Sequence, residues 1–134
     1  MPRHIALLRP TGLTDQVDYA YAAVTDAPAR SIFTAGACPL DEEGRTVAVG
    51  DVAGQAEQVM HNLAVVLHEA GASLGDVVKS TVYVASSRQE DLVAAWNVVK
   101  RHFGEHDAPS TLLGVAALGY DDQLVEVEAI AVLG

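Results

Sequence analysis

The chain has 134 residues, half of them hydrophobic, a formal net charge of −10 and an isoelectric point near 4.6. This length suits one domain around one core, so we expect a single domain over residues 1–134. The acidity argues against nucleic acid as a partner, because phosphate binding depends on clustered Lys and Arg, and the eight basic residues here are scattered.

The N-terminal segment, residues 1–10, carries Arg3 and Arg9 around a short apolar stretch at residues 5–8. It is too short for a signal peptide and predicts an edge strand instead. No apolar run approaches the roughly 18 residues of a membrane-spanning helix. Cys38 is the single cysteine, so an internal disulfide is excluded. We therefore expect a cytoplasmic protein without a membrane partner.

In the first half of the chain, short stretches rich in aromatic and small residues at 19–25 and 31–38 predict two strands. Asp26, Pro28 and Arg30 between them are typical of a turn, so the pair is predicted to be a hairpin. After a polar turn at residues 40–45, apolar residues recur at three- and four-residue spacing. This pattern predicts a helix capped by Asp51 and stopped by Gly71.

In the second half, β-branched residues 77–84 predict a strand, and an apolar stripe over residues 88–103 predicts a second helix. Two apolar strands follow at 111–118 and 123–132, joined by a turn. Two helices on one face of a mixed sheet leave the other face uncovered. Strands dominated by Ala, Val and Leu therefore predict an oligomer whose sheets pack together, since a monomer would expose a large apolar patch.

Several motifs occur in a characteristic order along nearly the whole chain. They are TAG at residues 34–36 followed by Pro39, a helix containing Gln55, Asn62 and Leu63, GASLGDVVK at 71–79, VYV at 82–84, and VEVEAIA at 125–131. Through these motifs the chain resembles the RidA/YjgF family of the Rid (reactive intermediate deaminase) superfamily, also labelled endoribonuclease L-PSP. The C-terminal motif is the most specific of them.

The resemblance implies an α+β, chorismate-mutase-like fold with a mixed six-stranded sheet and two helices packed on one face. It also implies a homotrimer with clefts between subunits that hold a small metabolite. Family members of known activity hydrolyse reactive imines and enamines, such as 2-aminoacrylate, to a keto acid and ammonia without a metal or organic cofactor. In them an Arg clamps the substrate carboxylate with its planar fork, and a Glu helps to place the attacking water.

The catalytic Glu of the family falls on Glu126, whereas its Arg falls on Ser110, beside Thr111. A serine brings no positive charge, and a charge-assisted bidentate contact is about twice as strong as a neutral hydrogen bond. We therefore expect Ser110 to hold a carboxylate poorly. Arg88 and Arg101, the nearest candidates to replace the guanidinium, lie among polar residues and are expected to be solvated.

Other pocket positions also depart from the family pattern. Ala35 stands where a serine is often found beside Gly36, and Trp96 aligns with an asparagine of the second helix. Tyr19 and Tyr21 are both candidates for the pocket tyrosine. The predicted substrate-binding residues are thus Ser110, Thr111, Ala35, Gly36, Tyr19, Tyr21, Trp96 and Cys38.

Simpler interpretations remain open for these residues. Glu126 and Glu128 share one face of a strand and are also compatible with a solvent-facing or interface-lining edge. Cys38 is either a reactive thiol or a small buried hydrophobic residue, and no His spacing suggests a metal site.

Three functions are compatible with these residues. The leading hypothesis is an imine or enamine deaminase in which Glu126 positions water. The alternative is a non-catalytic or altered-specificity trimer that binds a small metabolite, because Ser110 removes the Arg. The third, an RNA-directed or translation-inhibiting protein, is disfavoured by the charge.

Overall fold

A computed structural model describes residues 4–26 and 30–134 of the chain. Within those ranges the strands and helices follow one another in the predicted order, and the α+β class is confirmed. The elements are β1 Ile5–Leu8, β2 Ala22–Thr25, β3 Arg30–Phe33, α1 Val52–Glu69, β4 Val77–Val84, α2 Gln89–Phe103, β5 Ser110–Gly114 and β6 Val125–Leu133.

The main sheet is mixed and has four strands in the order β3-β6-β4-β5. β6 runs antiparallel to β3 and β4, and β4 runs parallel to β5. The register sets Tyr83 of β4 opposite Glu126 of β6, and Thr81 opposite Glu128. Polar side chains of the two central strands therefore lie next to each other on one face.

Strand pairing differs from the prediction at the hairpin, and the strands expected in one six-stranded sheet are divided between two sheets. The hairpin between residues 19–25 and 31–38 is wrong, because β2 pairs with β1 and β3 pairs with β6. β5 and β6 are not neighbours, since β4 lies between them. The six strands consequently form a sheet of four and a sheet of two. Strand propensity is a local property and does not determine the partner. Arg3 and Pro28, which the prediction used, lie outside the described residues.

Helix α1 begins and ends where its capping residues predict. Asp51 Oδ1 accepts a hydrogen bond from the Gly54 amide at 3.0 Å, and this satisfies one of the free amides of the first turn. Gly71, with φ 84°, follows the last turn in the left-handed conformation that glycine adopts without strain. Neither α1 nor α2 is long and apolar enough to cross a bilayer.

The core lies between the two helices and one face of the main sheet. Val125 and Val127 of β6 are fully buried, as are Val82 and Val84 of β4. Burying a side chain of this kind contributes roughly 1.5–3 kcal/mol. Because successive side chains on a strand point to opposite faces, burial of the odd-numbered residues of β6 directs Glu126 to the other face.

We call that other side the open face, defined by Phe33, Lys79, Tyr83, Thr111 and Glu128. Phe33 is 74% exposed. Lys79 Nζ donates to Thr111 Oγ1 at 2.6 Å, and the Tyr83 hydroxyl donates to Glu128 Oε1 at 2.5 Å. The sequence predicted a mainly apolar surface, but hydrogen-bonded polar groups accompany the exposed aromatic ring.

Candidate functional site

Glu126 is half-buried on the open-face side of β6 because a loop lies across it. After β3 the chain runs beside β6: Thr34 N donates to Ala129 O at 3.0 Å, and Ala37 N donates to Val127 O at 2.7 Å. These bonds hold the intervening Gly36 against the Glu126 carboxyl group. The predicted neighbours in this loop are therefore brought to Glu126, with Ala35 exposed beside Gly36.

Gly36 leaves no room for a side chain. A Cβ built on it would lie 2.2 Å from Glu126 Oε2 and 2.5 Å from Glu126 Cδ. Real Cβ atoms do not approach other atoms this closely, and Gly36 does not adopt a positive φ. The requirement for glycine is therefore steric: the loop backbone packs directly on the carboxyl group.

Two side chains donate hydrogen bonds to Oε1, the other oxygen of the Glu126 carboxyl group. The Cys38 thiol donates to Glu126 Oε1 at 3.3 Å, and Gln123 Nε2 donates to the same oxygen at 3.2 Å. Gln123 is only 4% exposed, and the Tyr120 amide donates to its Oε1 at 3.1 Å. Among the described residues no donor is directed at Glu126 Oε2. We refer to Glu126, Gly36, Cys38 and Gln123 as the carboxylate cluster.

The cysteine of this cluster is a proton donor at neutral pH. Burial, followed by the hydrogen bond and negative charge of Glu126, raises the pKa of the Cys38 thiol to about 11. A nucleophilic cysteine needs a thiolate, which a cationic neighbour or a helix N-terminus would favour. The surroundings of Cys38 do the opposite, so its chemistry here is to donate a hydrogen bond to Glu126.

Gln123 was not predicted from the sequence. It lies in the loop before β6, where a single glutamine forms no pattern that distinguishes it from a solvated residue. Its burial comes from tertiary contacts, including a second bond from its Nε2 to Val125 O at 3.1 Å.

A second set of predicted residues forms a cleft of about 420 Å³ at the outer edge of β5. It is lined by Tyr19, Trp96, Ser110, Thr111 and Leu112, and we call it the aromatic cleft. The rings of Tyr19 and Trp96 stand 6.4 Å apart between centroids at an interplanar angle of 81°.

The structure distinguishes the two candidate tyrosines. Tyr19 lines the aromatic cleft. Tyr21 packs edge-on against Tyr19, with centroids 6.0 Å apart, and its hydroxyl donates to Thr14 O at 2.7 Å. Tyr21 therefore packs against Tyr19 and is not one of the residues that line the cleft.

The Ser110 hydroxyl faces inward. It donates to Ala108 O at 3.0 Å and is hydrogen-bonded to the fully buried Ser80 hydroxyl. Its hydrogen-bonding capacity is thus largely used within the chain. The two arginines considered as substitutes for a guanidinium lie elsewhere: Arg101 binds Glu57 at 2.5 Å, and Arg88 binds Glu90.

The carboxylate cluster and the aromatic cleft lie on opposite sides of the sheet. Ser110 pairs with Ser80, whose side chain is on the helix side, whereas Glu126 pairs with Tyr83 on the open-face side. Within one chain Ser110 and Glu126 therefore face opposite sides of the sheet, whereas the Thr111 side chain, bonded to Lys79, is on the side of Glu126.

Comparison with known proteins identifies the fold and its family. A family model described as Endoribonuclease L-PSP matches residues 15–133. The chain belongs to this family. A crystal structure of a Rid-family protein from Yersinia pestis superimposes with a TM-score of 0.90 at 28% identity, covering 97% of this chain and 99% of that one. The resemblance to the Rid superfamily is therefore confirmed.

Two relatives of this Rid-family chain are similar in sequence. A RutC family protein of Pyrococcus abyssi is 40% identical over 100 residues, or 75% of this chain and 76% of that protein. A protein of Salmonella typhimurium named 2-iminobutanoate/2-iminopropanoate deaminase is 36% identical over 104 residues, or 75% of this chain and 78% of that protein. The family thus includes both a named deaminase and a relative without a stated reaction.

Proposed function

We propose that this Rid-family protein is a hydrolytic deaminase of small reactive imines and enamines, acting in clefts between the subunits of a homotrimer. The observation that carries the proposal is the arrangement of Glu126. Cys38 and Gln123 fix its Oε1, while Oε2 lies over Gly36 without a donor among the described residues. A carboxylate held in this way has one oxygen positioned to accept a hydrogen bond from water.

The chemistry needs only water and proton transfers. Glu126 takes a proton from the water as the water oxygen bonds to the imine carbon, the C=N electron pair moves to nitrogen, and Glu126 returns that proton to the nitrogen to give the carbinolamine. Glu126 then takes the proton of the carbinolamine hydroxyl and passes it to the amino group as the carbonyl forms and ammonia leaves. The balance is R₂C=NH + H₂O → R₂C=O + NH₃, and an enamine enters after tautomerising to the imine.

A second copy of the chain supplies the rest of the site in this proposal. Glu126 and the side chains of Ser110 and Trp96 lie on opposite sides of one sheet, so in this proposal a cleft that uses them takes Glu126 from one subunit and the aromatic cleft from its neighbour. The open face, with Phe33 74% exposed, offers a surface for that neighbour. The trimer itself is taken from the family resemblance.

The test is a coupled assay with 2-aminoacrylate generated by a dehydratase, following pyruvate release. Glu126→Gln keeps the shape of the side chain but cannot accept the proton, so we expect the rate above solvent hydrolysis to fall about 100-fold or more. Glu128→Gln is the matched control, because it removes a carboxylate two residues along the same strand. We expect this control to keep its activity within about threefold.

Both variants must have the same oligomeric state as the unmodified protein, because the proposed cleft lies between subunits. Acceleration that survives Glu126→Gln, or no acceleration where an Arg-containing relative is active, would overturn the proposal.

The altered-specificity binding trimer remains the second candidate, and the inward-facing Ser110 hydroxyl favours it. With no cation in its lining and its serine hydroxyl bonded within the chain, the aromatic cleft offers little to a carboxylate. A thermal-shift screen of keto acids, amines and aromatic metabolites with the Glu126→Gln variant tests this, because a ligand of the native state raises Tm without turnover. Stabilisation by keto acids alone would contradict it.

A further inference from the structure

We propose that the aromatic cleft binds a small organic cation, an iminium or ammonium ion that carries no carboxylate. This inference rests on the proposed function, since it names the substrate class of that same site. Three observations on the chain carry it: the geometry of two aromatic rings, a carboxylate at the edge of one of them, and a cleft lining without Lys or Arg.

The two rings form a corner. Tyr19 and Trp96 both line the cleft, with planes at 81° and centroids 6.4 Å apart. A cation is attracted to an aromatic face within about 6 Å of its centroid. At this separation one small cation can lie within that distance of both rings. Aromatic walls at large angles to each other are the way in which proteins hold alkylammonium groups.

A carboxylate lies at the edge of the indole. Trp96 Nε1 donates to both oxygens of Asp18, at 3.0 and 3.1 Å. The indole N–H is a donor only, and it points its positive edge at the anion. A negative charge at this edge increases the electron density of the ring, which strengthens its attraction for a cation. The same charge repels an incoming carboxylate.

Of the basic groups near the cleft, Arg9 and Lys100 share the Asp107 carboxylate, and Lys79, which donates to Thr111 at 2.6 Å, lies on the open face. Arg9 binds Asp107 at 2.6 Å, and Lys100 binds the other oxygen of Asp107 at 2.5 Å. Although burial raises the pKa of Asp107, hydrogen bonds from Lys100 and Arg9 hold it below its ordinary value. The residues lining the cleft include no Lys or Arg. The lining of the cleft therefore has no cationic side chain to pair with a substrate carboxylate.

A cationic substrate is consistent with hydrolysis. Protonation makes the imine carbon more electrophilic, and the balance becomes R₂C=NH₂⁺ + H₂O → R₂C=O + NH₄⁺. The cation keeps its charge through the reaction and passes it to the product. The net charge of −10 also favours the approach of cations over anions.

Trp96 is the single tryptophan of the chain, so its fluorescence reports directly on the cleft. The experiment titrates the intact protein with three probes of similar size: tetramethylammonium, tert-butanol and pivalate. We expect saturable binding of tetramethylammonium, about tenfold tighter than tert-butanol, and no saturation by pivalate. Asp18→Asn should weaken tetramethylammonium severalfold and leave tert-butanol unchanged. Asp15→Asn, an exposed carboxylate three residues earlier, is the matched control and should change neither.

Equal affinity for tetramethylammonium and tert-butanol would overturn the inference, because apolar contact alone would then explain binding. Preference for pivalate, or no saturation by tetramethylammonium, would overturn it as well. None of these readings involves turnover. A loss of activity that spares cation binding therefore counts against the deaminase alone, and a preserved deaminase that prefers pivalate counts against the cation site alone.

Discussion

Substitution of Gly36 by alanine tests the packing of the loop against the carboxyl group of Glu126. The new Cβ would lie 2.2 Å from Oε2 and 2.6 Å from Cγ, so the glutamate must move away from the hydrogen bonds that fix it. Overpacking of this kind costs about 1–3 kcal/mol. In a chain of this length we expect Tm to fall by about 3–15 °C.

A double-mutant cycle isolates the contact. The atoms that would clash all lie beyond Cβ of Glu126, so Glu126→Ala removes the obstruction. We expect Gly36→Ala to cost less than about 0.5 kcal/mol in that background, which gives a coupling energy of at least about 0.5 kcal/mol, as is usual for residues in contact. Gly119→Ala is the matched control, because a Cβ there meets nothing within 4 Å.

The free energy of unfolding is measured by urea denaturation of all four proteins of the cycle. If Gly36→Ala costs the same with glutamate or alanine at position 126, the carboxyl group is not where the geometry puts it, and the description of the site is wrong.

Four other predictions concern residues in or near the carboxylate cluster. Because its pKa is raised from 9.0 to about 11, Cys38 should react with iodoacetamide at pH 8 about 100-fold more slowly than an ordinary cysteine. Glu126→Gln should increase the rate of this reaction. If Cys38 in the unmodified protein reacts as fast as an ordinary cysteine, the prediction is wrong. The same shift adds stability below pH 9 that is lost as pH rises towards 11, which pH-dependent urea denaturation measures. Asn62→Asp removes the amide that donates to Cys38 O at 2.8 Å and Leu40 O at 3.0 Å. Urea denaturation should show that the free energy of unfolding falls by about 2 kcal/mol. A fall of less than about 0.5 kcal/mol would show that these bonds contribute little to stability. Gln55→Leu should cost about 3 kcal/mol in the same assay, because Gln55 is fully buried and its Oε1 accepts from an amide at 2.7 Å; an unchanged midpoint would contradict it.

Local sequence determined the elements more accurately than their pairing. The β-branched run at Val77–Val84 matches β4 at both ends, and the caps of α1 lie at Asp51 and Gly71 as predicted. Each depends on neighbouring residues. The predicted hairpin failed because β3 hydrogen-bonds to a strand nearly 100 residues away, and nothing in residues 19–38 encodes that partner.

For the candidate site as well, local sequence predicted some features, whereas others depend on tertiary contacts. Glu126 was singled out from the C-terminal motif, and alternation along β6 then determines its face. That Ser110 and Glu126 face opposite sides of the sheet depends on a parallel pairing of β5 with β4, which the sequence did not predict. Gln123 gains its role from burial in a loop, for which periodicity gives no signal.

The proposal that the site is shared between subunits is tested most directly by complementation. Glu126→Gln and Trp96→Leu chains, each expected to be inactive alone towards the imine, are co-expressed in equal amounts and assayed as mixed oligomers. A cleft that takes Glu126 from one subunit and Trp96 from its neighbour is intact in one arrangement of four, so we expect about a quarter of the unmodified activity. A mixture as inactive as either variant alone would contradict the shared site.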